Sequence, residues 1–350
     1  MLRAPIQAIV DGERLTREEA TSAMQIIMNG EASQPQIGAF LTALRMRGES
    51  DEELAGFADV MREKAVKVPY DPGDQPLVDT CGTGGDVSGS FNISTTAAFV
   101  VAGAGVRVAK HGNRAMTSRC GSADVLEGLG VRIELEPEQV AECIDRVGIG
   151  FMYAPAFHPA MRFAGPVRRE IGIRTVFNLL GPLVNPAGAT HQVVGVPDVD
   201  TANRVARVMG MLGSRHALVV HAHEGLDELG VAGTSTIAEM LMRESAWVTA
   251  YEIEPERYGL SRHPLDEISG GGVQENVRIT EEVLCGTPGA RRDITLLNAG
   301  AAIYAADAAS TIEEGIQAAA RSIDSGAASA KVRELVELTQ RISSPQTAGV

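Results

Sequence analysis

Directly after the β-prone run 77–80 stands Cys81-Gly82-Thr83-Gly84-Gly85-Asp86. Glycines that follow a strand let backbone N–H groups approach a ligand closely and form an anion-binding concavity. The chain continues through Asn92 to Ser94, Thr95 and Thr96, then into an apolar helical pattern from Ala97. Ser94 and Thr95 therefore sit near a helix N-terminus, where free N–H groups and hydroxyls favour phosphate. A tight, polar-capped strand-to-helix turn would have the same composition. Two familiar phosphate loops are excluded. Gly84-x-x-x-x-Gly89 is followed by Ser90, not by the Walker lysine. Gly103-Ala104-Gly105 lacks a third glycine, since Val108 stands there, and it precedes a strand instead of following one.

A second group lies at Val106-Arg107-Val-Ala-Lys110-His111-Gly112-Asn113-Arg114, which runs off a strand end into a turn. From Val87 to Ala123 there is no Asp or Glu, yet Arg107, Lys110, Arg114 and Arg119 fall inside that span. Fixed cationic donors of this kind neutralise a polyphosphate; the competing expectation is that the arginines pair with acids elsewhere in the chain. A third group is Asp227-Glu228, in a Gly-bounded turn after the strand-like run 217–221. Adjacent carboxylates beside strand ends suit Mg²⁺, held partly through water and substrate phosphates, although acidic pairs on turns are commonly just solvated. His221 and His223 find no third ligand at zinc spacing. Lastly, His158, Arg162, Arg168 and Arg169 precede the Pro-rich apolar run 175–188. A guanidinium beside such a wall can hold an aromatic carboxylate by charge and by its flat face.

Composition limits the partners. The 350 residues carry 31 Lys+Arg against 45 Asp+Glu, a net charge of −14, and only 4 % aromatic residues. Surplus cations for a nonspecific grip on nucleic acid or an anionic membrane are missing, as is a base-stacking platform. No apolar run approaches the ~20 residues of a membrane span, and the first thirteen residues have no signal-peptide core. Four scattered cysteines (Cys81, Cys120, Cys143, Cys285) without a Cys-x-x-Cys pair read as reduced thiols of a cytoplasmic protein.

The elements that must position these groups are legible in outline. Capping boxes at Thr16–Glu19, Ser33–Gln36 and Ser50–Glu53 open three short amphipathic helices, with Gly30 and Gly48 as stops. They make a small bundle over residues 1–68, or one face of an interface. Residues 68–76, rich in Pro, Asp and Gly, read as a linker or hinge. From 77 to 350 short β-prone runs (77–80, 106–109, 191–196, 217–221, 247–253) alternate with helical patterns. This predicts an α/β domain with a mostly parallel central sheet flanked by helices. Residues 293–342 return to helix, with Gly300 and Gly326 as stops.

In their order and spacing these motifs resemble the anthranilate phosphoribosyltransferase family of tryptophan biosynthesis. The resemblance rests on Gly82-Thr-Gly-Gly-Asp86, Asn92-x-Ser94-Thr95, Lys110-His-Gly-Asn113, Gly121-Ser122-Ala-Asp124, Arg168-Arg-Glu170-x-Gly, Phe177-Asn-Leu-Leu-Gly-Pro-Leu-x-Asn185-Pro and Asp227-Glu228, and it spans essentially the whole chain. It implies a helical domain over residues 1–68, completed by helices near 155–185, set against the α/β domain with the active site in the cleft between them, and a homodimer joined through the helical domains. The implied reaction joins 5-phosphoribosyl 1-diphosphate (PRPP) to the amine of anthranilate with Mg²⁺, giving N-(5-phosphoribosyl)anthranilate and diphosphate. By this resemblance Gly82, Gly85, Asp86, Asn92, Ser94, Thr95, Lys110, Gly112 and Ser122 serve PRPP, while Ser94, Asp227 and Glu228 serve the metal. Gly82, Asn113 and Arg168 contact anthranilate, with His111 and His158 lining its pocket. Lys110 and Arg168 are the residues expected to carry catalysis. Met161 stands where some members carry an aromatic residue, on the outer wall of the acceptor channel. The alternatives are a pyrimidine-nucleoside phosphorylase and a non-catalytic nucleic-acid-binding relative of the same fold.

Overall fold

The computed structural model describes residues 2–84, 89–115 and 119–342. Gly85 and Asp86, two of the expected PRPP residues, lie outside them. The N-terminal bundle consists of α1 (Arg3–Val10), α2 (Arg17–Met28), α3 (Gln34–Arg47) and α4 (Asp51–Lys64). The capping boxes at Thr16 and Ser50 form in full, and at Ser33 the Gln36 side chain accepts the Ser33 N–H at 3.2 Å. At α2, Thr16 Oγ1 accepts the Glu19 N–H at 3.2 Å and the Glu19 carboxylate accepts the Thr16 N–H at 2.9 Å. Gly30 and Gly48 take φ of +77° and +84°, the left-handed stop that only glycine adopts without strain. The bundle has a fourth helix, α1, which buries Ile9 against its neighbours. Only eight residues long and opened by Leu2 with no side-chain cap, α1 lacks the start signal that marks the other three in the sequence. The buried Glu53 carboxylate braces the bundle by accepting the N–H groups of Leu15 and Ser50, both at 2.8 Å, and the Arg47 guanidinium.

The α/β part runs through β1 (Leu77–Gly82), α5 (Ile93–Gly103), β2 (Arg107–Gly112), α6 (Ser122–Gly128), α7 (Pro137–Arg146) and β3 (Ile149–Tyr153). Three short helices follow, α8 (Ala154–Phe157), α9 (Gly165–Ile171) and α10 (Phe177–Leu180). Next come β4 (His191–Gly195), α11 (Val199–Met211), β5 (His216–Ala222), β6 (Ser235–Met242) and β7 (Ala246–Ile253). The chain closes with α12 (Val273–Leu284), α13 (Ala290–Ala305), α14 (Ile312–Asp324) and α15 (Ala327–Ile342). The strands form one seven-stranded sheet in the order β3-β2-β1-β4-β5-β6-β7. Pairing is parallel from β3 to β5 and antiparallel at β6 and β7.

The two faces of the sheet feed different cores. Val193, Leu218 and Val220 pack with α5 and α13, whereas their neighbours Val194, Ala217 and Val219 lie in a second core that continues through α11 to the N-terminal bundle. That is the period-2 alternation of a strand buried on both faces. The second core also takes in Val167 of α9 and Phe177 and Leu180 of α10. Helices that are distant in sequence thus extend the bundle. One expectation fails. Gly300 does not stop a helix; it lies inside α13, where a Cβ would come within 2.6 Å of the Ile316 backbone nitrogen. Its missing side chain lets α13 and α14 pack backbone to backbone. Gly326, at φ +77°, does separate α14 from α15.

Candidate active site

Strand β1 lies between β2 and β4. The chain therefore leaves β1 for β2 on one side, and β4 flanks it on the other. In a parallel sheet this divergence opens a crevice at the carboxyl ends of the strands. Gly82 and Gly195 are paired there, at the last positions of β1 and β4. The turn carrying Asp227 fills the space that side chains would take. A Cβ on Gly82 would meet Asp227 Oδ2 at 2.7 Å, and one on Gly195 would collide with the Asp227 backbone carbonyl. The glycines therefore admit the acidic turn to the crevice. Two backbone N–H groups meet it there: Gly84 donates to Asp227 Oδ2 at 3.1 Å and Ser94 donates to Glu228 Oε1 at 3.2 Å. Ser94 lies in the first turn of α5, where the helix dipole adds to its pull on an anion.

Lys110 completes this side. It is 2 % exposed, and its ammonium donates to the Thr80 carbonyl at 2.5 Å and to Ser94 Oγ at 3.3 Å. Burial lowers its pKa, opposed by the nearby charges of Asp79 and Glu228. The following residue, His111, must face the other way because adjacent strand residues point to opposite faces. Its ring lies 5.0 Å from that of His158. Nε2 of each imidazole is buried without a hydrogen-bond partner among the described residues. Burial holds both rings neutral, with pKa values lowered to about 3 for His111 and about 4 for His158. Arg168, at the end of α9, stacks over the Phe177 ring at 5.1 Å. Burial alone shifts its pKa, downward, with no charged neighbour contributing among the described residues. A guanidinium seated on an aromatic ring without a carboxylate beside it is prepared for a carboxylate ligand.

The remaining expected residues divide. Gly112 lies close against Ser122, whose hydroxyl donates to the Asn113 carbonyl at 3.2 Å, so these three form one turn at the end of β2. Asn113 Oδ1 accepts the Arg114 N–H at 2.8 Å. Asn92 has structural duties: its amide donates to the Cys120 carbonyl at 3.1 Å, and its Oδ1 accepts from Asn276 at 2.9 Å. Thr95 is 2 % exposed and turned into the core side of α5. The cationic segment is narrower than its composition suggests. Arg107 pairs with Asp145 at 3.6 Å, and Arg114 pairs with Asp124 and Glu127. Lys110 is the cation of that span that enters the crevice beside Ser94. Composition also hid Asp79, a lone acid inside a β-prone run. It is fully buried and accepts the His111 N–H at 3.2 Å and the Asn185 amide at 2.7 Å.

Two carboxylates and a hydroxyl offer only hard oxygen ligands. Among the described residues no group of three or more His, Cys, Asp or Glu side chains could cage a metal. This donor set fits a Mg²⁺ ion that completes its shell with water and substrate phosphate.

Comparison with known proteins agrees with this geometry. Residues 74–329 match the model of the "Glycosyl transferase family, a/b domain" and residues 4–65 that of its "helical bundle domain". The chain is 53 % identical to the anthranilate phosphoribosyltransferase of Symbiobacterium thermophilum over 97 % of this chain and 98 % of that one. It is 54 % identical to that of Roseiflexus castenholzii, again over 97 % and 98 %. Among solved structures, the anthranilate phosphoribosyltransferase of Thermus thermophilus superposes with a TM-score of 0.89 at 42 % identity, over 96 % of this chain and 99 % of that one. The Saccharomyces cerevisiae enzyme in complex with PRPP and Mg superposes with a TM-score of 0.86 at 27 % identity, over 97 % and 99 %.

Proposed function

The chain belongs to the anthranilate phosphoribosyltransferases of this glycosyl transferase family, and from that premise we infer how its cleft carries out the reaction. It transfers the 5-phosphoribosyl group of PRPP to the amine of anthranilate, with Mg²⁺, in tryptophan biosynthesis. The observation that carries the residue assignments is the division at β2. Lys110 turns to the acidic turn and the α5 N-terminus, and His111 turns to His158 on the opposite face.

On the donor side, Lys110 binds the diphosphate and receives its growing charge as the C1–O bond breaks, while the N–H groups of Gly84 and Ser94 orient the Asp227 and Glu228 carboxylates. Gly82 and Ser122 frame PRPP beside Lys110, with Gly85 and Asp86 assigned to PRPP by the resemblance alone. Asn92 acts indirectly by fixing the start of α5 through Cys120 and Asn276, and the buried Thr95 stays on the core side of that helix. Ser94, Asp227 and Glu228 hold Mg²⁺, which neutralises phosphate charge when bound. On the acceptor side, Arg168 holds the anthranilate carboxylate against Asn113, while the neutral His111 and His158 leave the amine uncharged surroundings. The ribosyl carbon gains oxocarbenium character as diphosphate departs, the aniline nitrogen attacks from the opposite face, and the nitrogen then gives up one proton to water or to an oxygen of the departing diphosphate. An aryl amine needs no strong base to be nucleophilic, so positioning dominates. No side chain forms a covalent intermediate.

Initial rates with PRPP and anthranilate, with and without Mg²⁺, test this reading. Product that depends on both substrates and on Mg²⁺ is expected. Phosphorolysis of uridine or thymidine in its place would establish the phosphorylase alternative. Salt-sensitive DNA binding without turnover would establish the nucleic-acid-binding one. We also infer a homodimer through the helical domain. Val10, Met46 and Ile173 are apolar and 65 %, 83 % and 46 % exposed, on or beside α1, α3 and α9, and α3 contacts both of the others. Sedimentation at twice the chain mass is the expected result. A cytoplasmic location is consistent with four free cysteines; no helix of the described residues is long and apolar enough to cross a membrane.

A further inference from the structure

The segment 177–187 forms much of the acceptor wall. It carries Phe177, the seat of Arg168, and Gly181, whose carbonyl meets the His111 ring. Two buried side chains of neighbouring strands tie it to the sheet. Gln192 of β4 donates to the Pro182 carbonyl at 2.8 Å, and Asp79 of β1 accepts the Asn185 amide at 2.7 Å. Asp79 and Gln192 are direct register partners. Asn185 also donates to the Ala109 carbonyl at 2.8 Å and accepts the Ala187 N–H at 2.9 Å. Asp79 Oδ1 takes the His111 N–H. One carboxylate thus holds the loop that seats Arg168 and the strand that carries Lys110 and His111.

We propose that Asp79 is a positioning residue for the acceptor half of the cleft, fixing the 177–187 segment and the end of β2 so that Arg168 and His111 face anthranilate together. The proposal rests on the transferase reading above and deepens its acceptor side. The groups bonded to Asp79 are all donors: the His111 N–H from β2, the Cys81 thiol from β1 and the Asn185 amide, while the Lys110 charge acts on it from the other face of the sheet. An amide in its place would keep the shape but turn an NH₂ toward one of these donors. Burial pushes the Asp79 carboxyl up to about 6, opposed by the Lys110 charge and by the hydrogen bonds from Asn185, His111 and Cys81.

Steady-state kinetics of Asp79→Asn and Asn185→Ala, alongside thermal unfolding, test the proposal. Expected for both variants is an anthranilate KM raised about tenfold or more, with the PRPP KM changed less than about threefold. For Asp79→Asn, the Tm at pH 8 should fall by several degrees, because buried donors lose their acceptor; the split between the two KM values, not the Tm, reads the positioning role. As pH falls through about 6, the anthranilate KM should rise in the wild type relative to Asp79→Asn, which should stay high throughout. An unchanged anthranilate KM in Asn185→Ala, or equal rises in both KM values, would overturn the proposal even if Asp79→Asn did not fold. A wild-type protein that made no product would instead refute the transferase reading itself.

Discussion

Two buried histidine clusters stand at opposite ends of the same sheet, and they are built on opposite principles. At the carboxyl ends of the strands, His111 and His158 lie side by side with an Nε2 each left unpartnered among the described residues and with pKa values pushed down. At the other end, where β4 and β5 begin, His216 Nδ1 lies 2.8 Å from Asp307 Oδ1 and its Nε2 3.0 Å from Glu239 Oε1. Tyr304 donates to the same Glu239 oxygen at 2.6 Å, and His191 lies 3.5 Å from Asp307. The His216 pKa is raised: burial opposes its charge, and the two carboxylates outweigh burial. The closed cluster completes its own hydrogen bonds, whereas the open one keeps bonding capacity for something outside the chain. Burial alone does not separate the two kinds of histidine, since His216 is 2 % exposed and His158 5 %. The partners do.

Perturbing each end should bring out this contrast. The largest effect is expected from Lys110→Ala, whose kcat should fall by about 10²–10³, the range for removing a preorganised charge-stabilising donor. Stopped or steady-state product fluorescence would measure it, and a fall below tenfold would remove Lys110 from the donor role. Next, Asp227→Asn with Glu228→Gln should raise the Mg²⁺ concentration for half-maximal rate and the PRPP KM by about tenfold or more, with the anthranilate KM nearly unchanged. At the closed end, His216→Gln should leave kcat and both KM values near wild type. It should cost about 1–3 kcal/mol of stability, because Glu239 loses a buried partner, read as a Tm lower by several degrees.

The smallest effects are the opposed pH dependences. The folded pKa of His216 lies above its unfolded value, so its stabilisation is full below about 6.5 and disappears as pH rises through the raised value. The Tm gap between wild type and His216→Gln should narrow with rising pH. His111 and His158 are lowered to about 3 and about 4. Between about pH 4 and 6.5 the unfolded chain binds more protons there, so their contribution improves with rising pH. The Tm of wild type relative to His158→Gln should therefore increase over that range.

The sequence reveals the open end better than the closed one. Glycine after a strand, a polar helix start and an acidic pair are local signals, and each lies within ten residues of its element. The capping boxes of the bundle are equally local. Strand β6 escapes a reading of the sequence because its residues, Ala-Glu-Met-Leu-Met among them, favour helix; antiparallel pairing with β5 and β7 overrides that preference. Strand β3 is only five residues long and shows no alternation to mark it. The pairing of Arg107 with Asp145 and of Arg114 with Glu127 depends on helices folding back over strand ends, which an acid-free segment does not disclose. Asp79 and Asn185 lie 106 positions apart and meet only through the sheet. Neither has a neighbour in sequence that hints at the other.

The division of labour across β2 is tested most directly by Arg168→Ala, with both KM values and kcat measured on one enzyme preparation. The account predicts an anthranilate KM about 10²-fold higher, a PRPP KM within about threefold of wild type, and a kcat largely retained at saturating acceptor. An unchanged anthranilate KM, or a PRPP KM that rises as far, would contradict it.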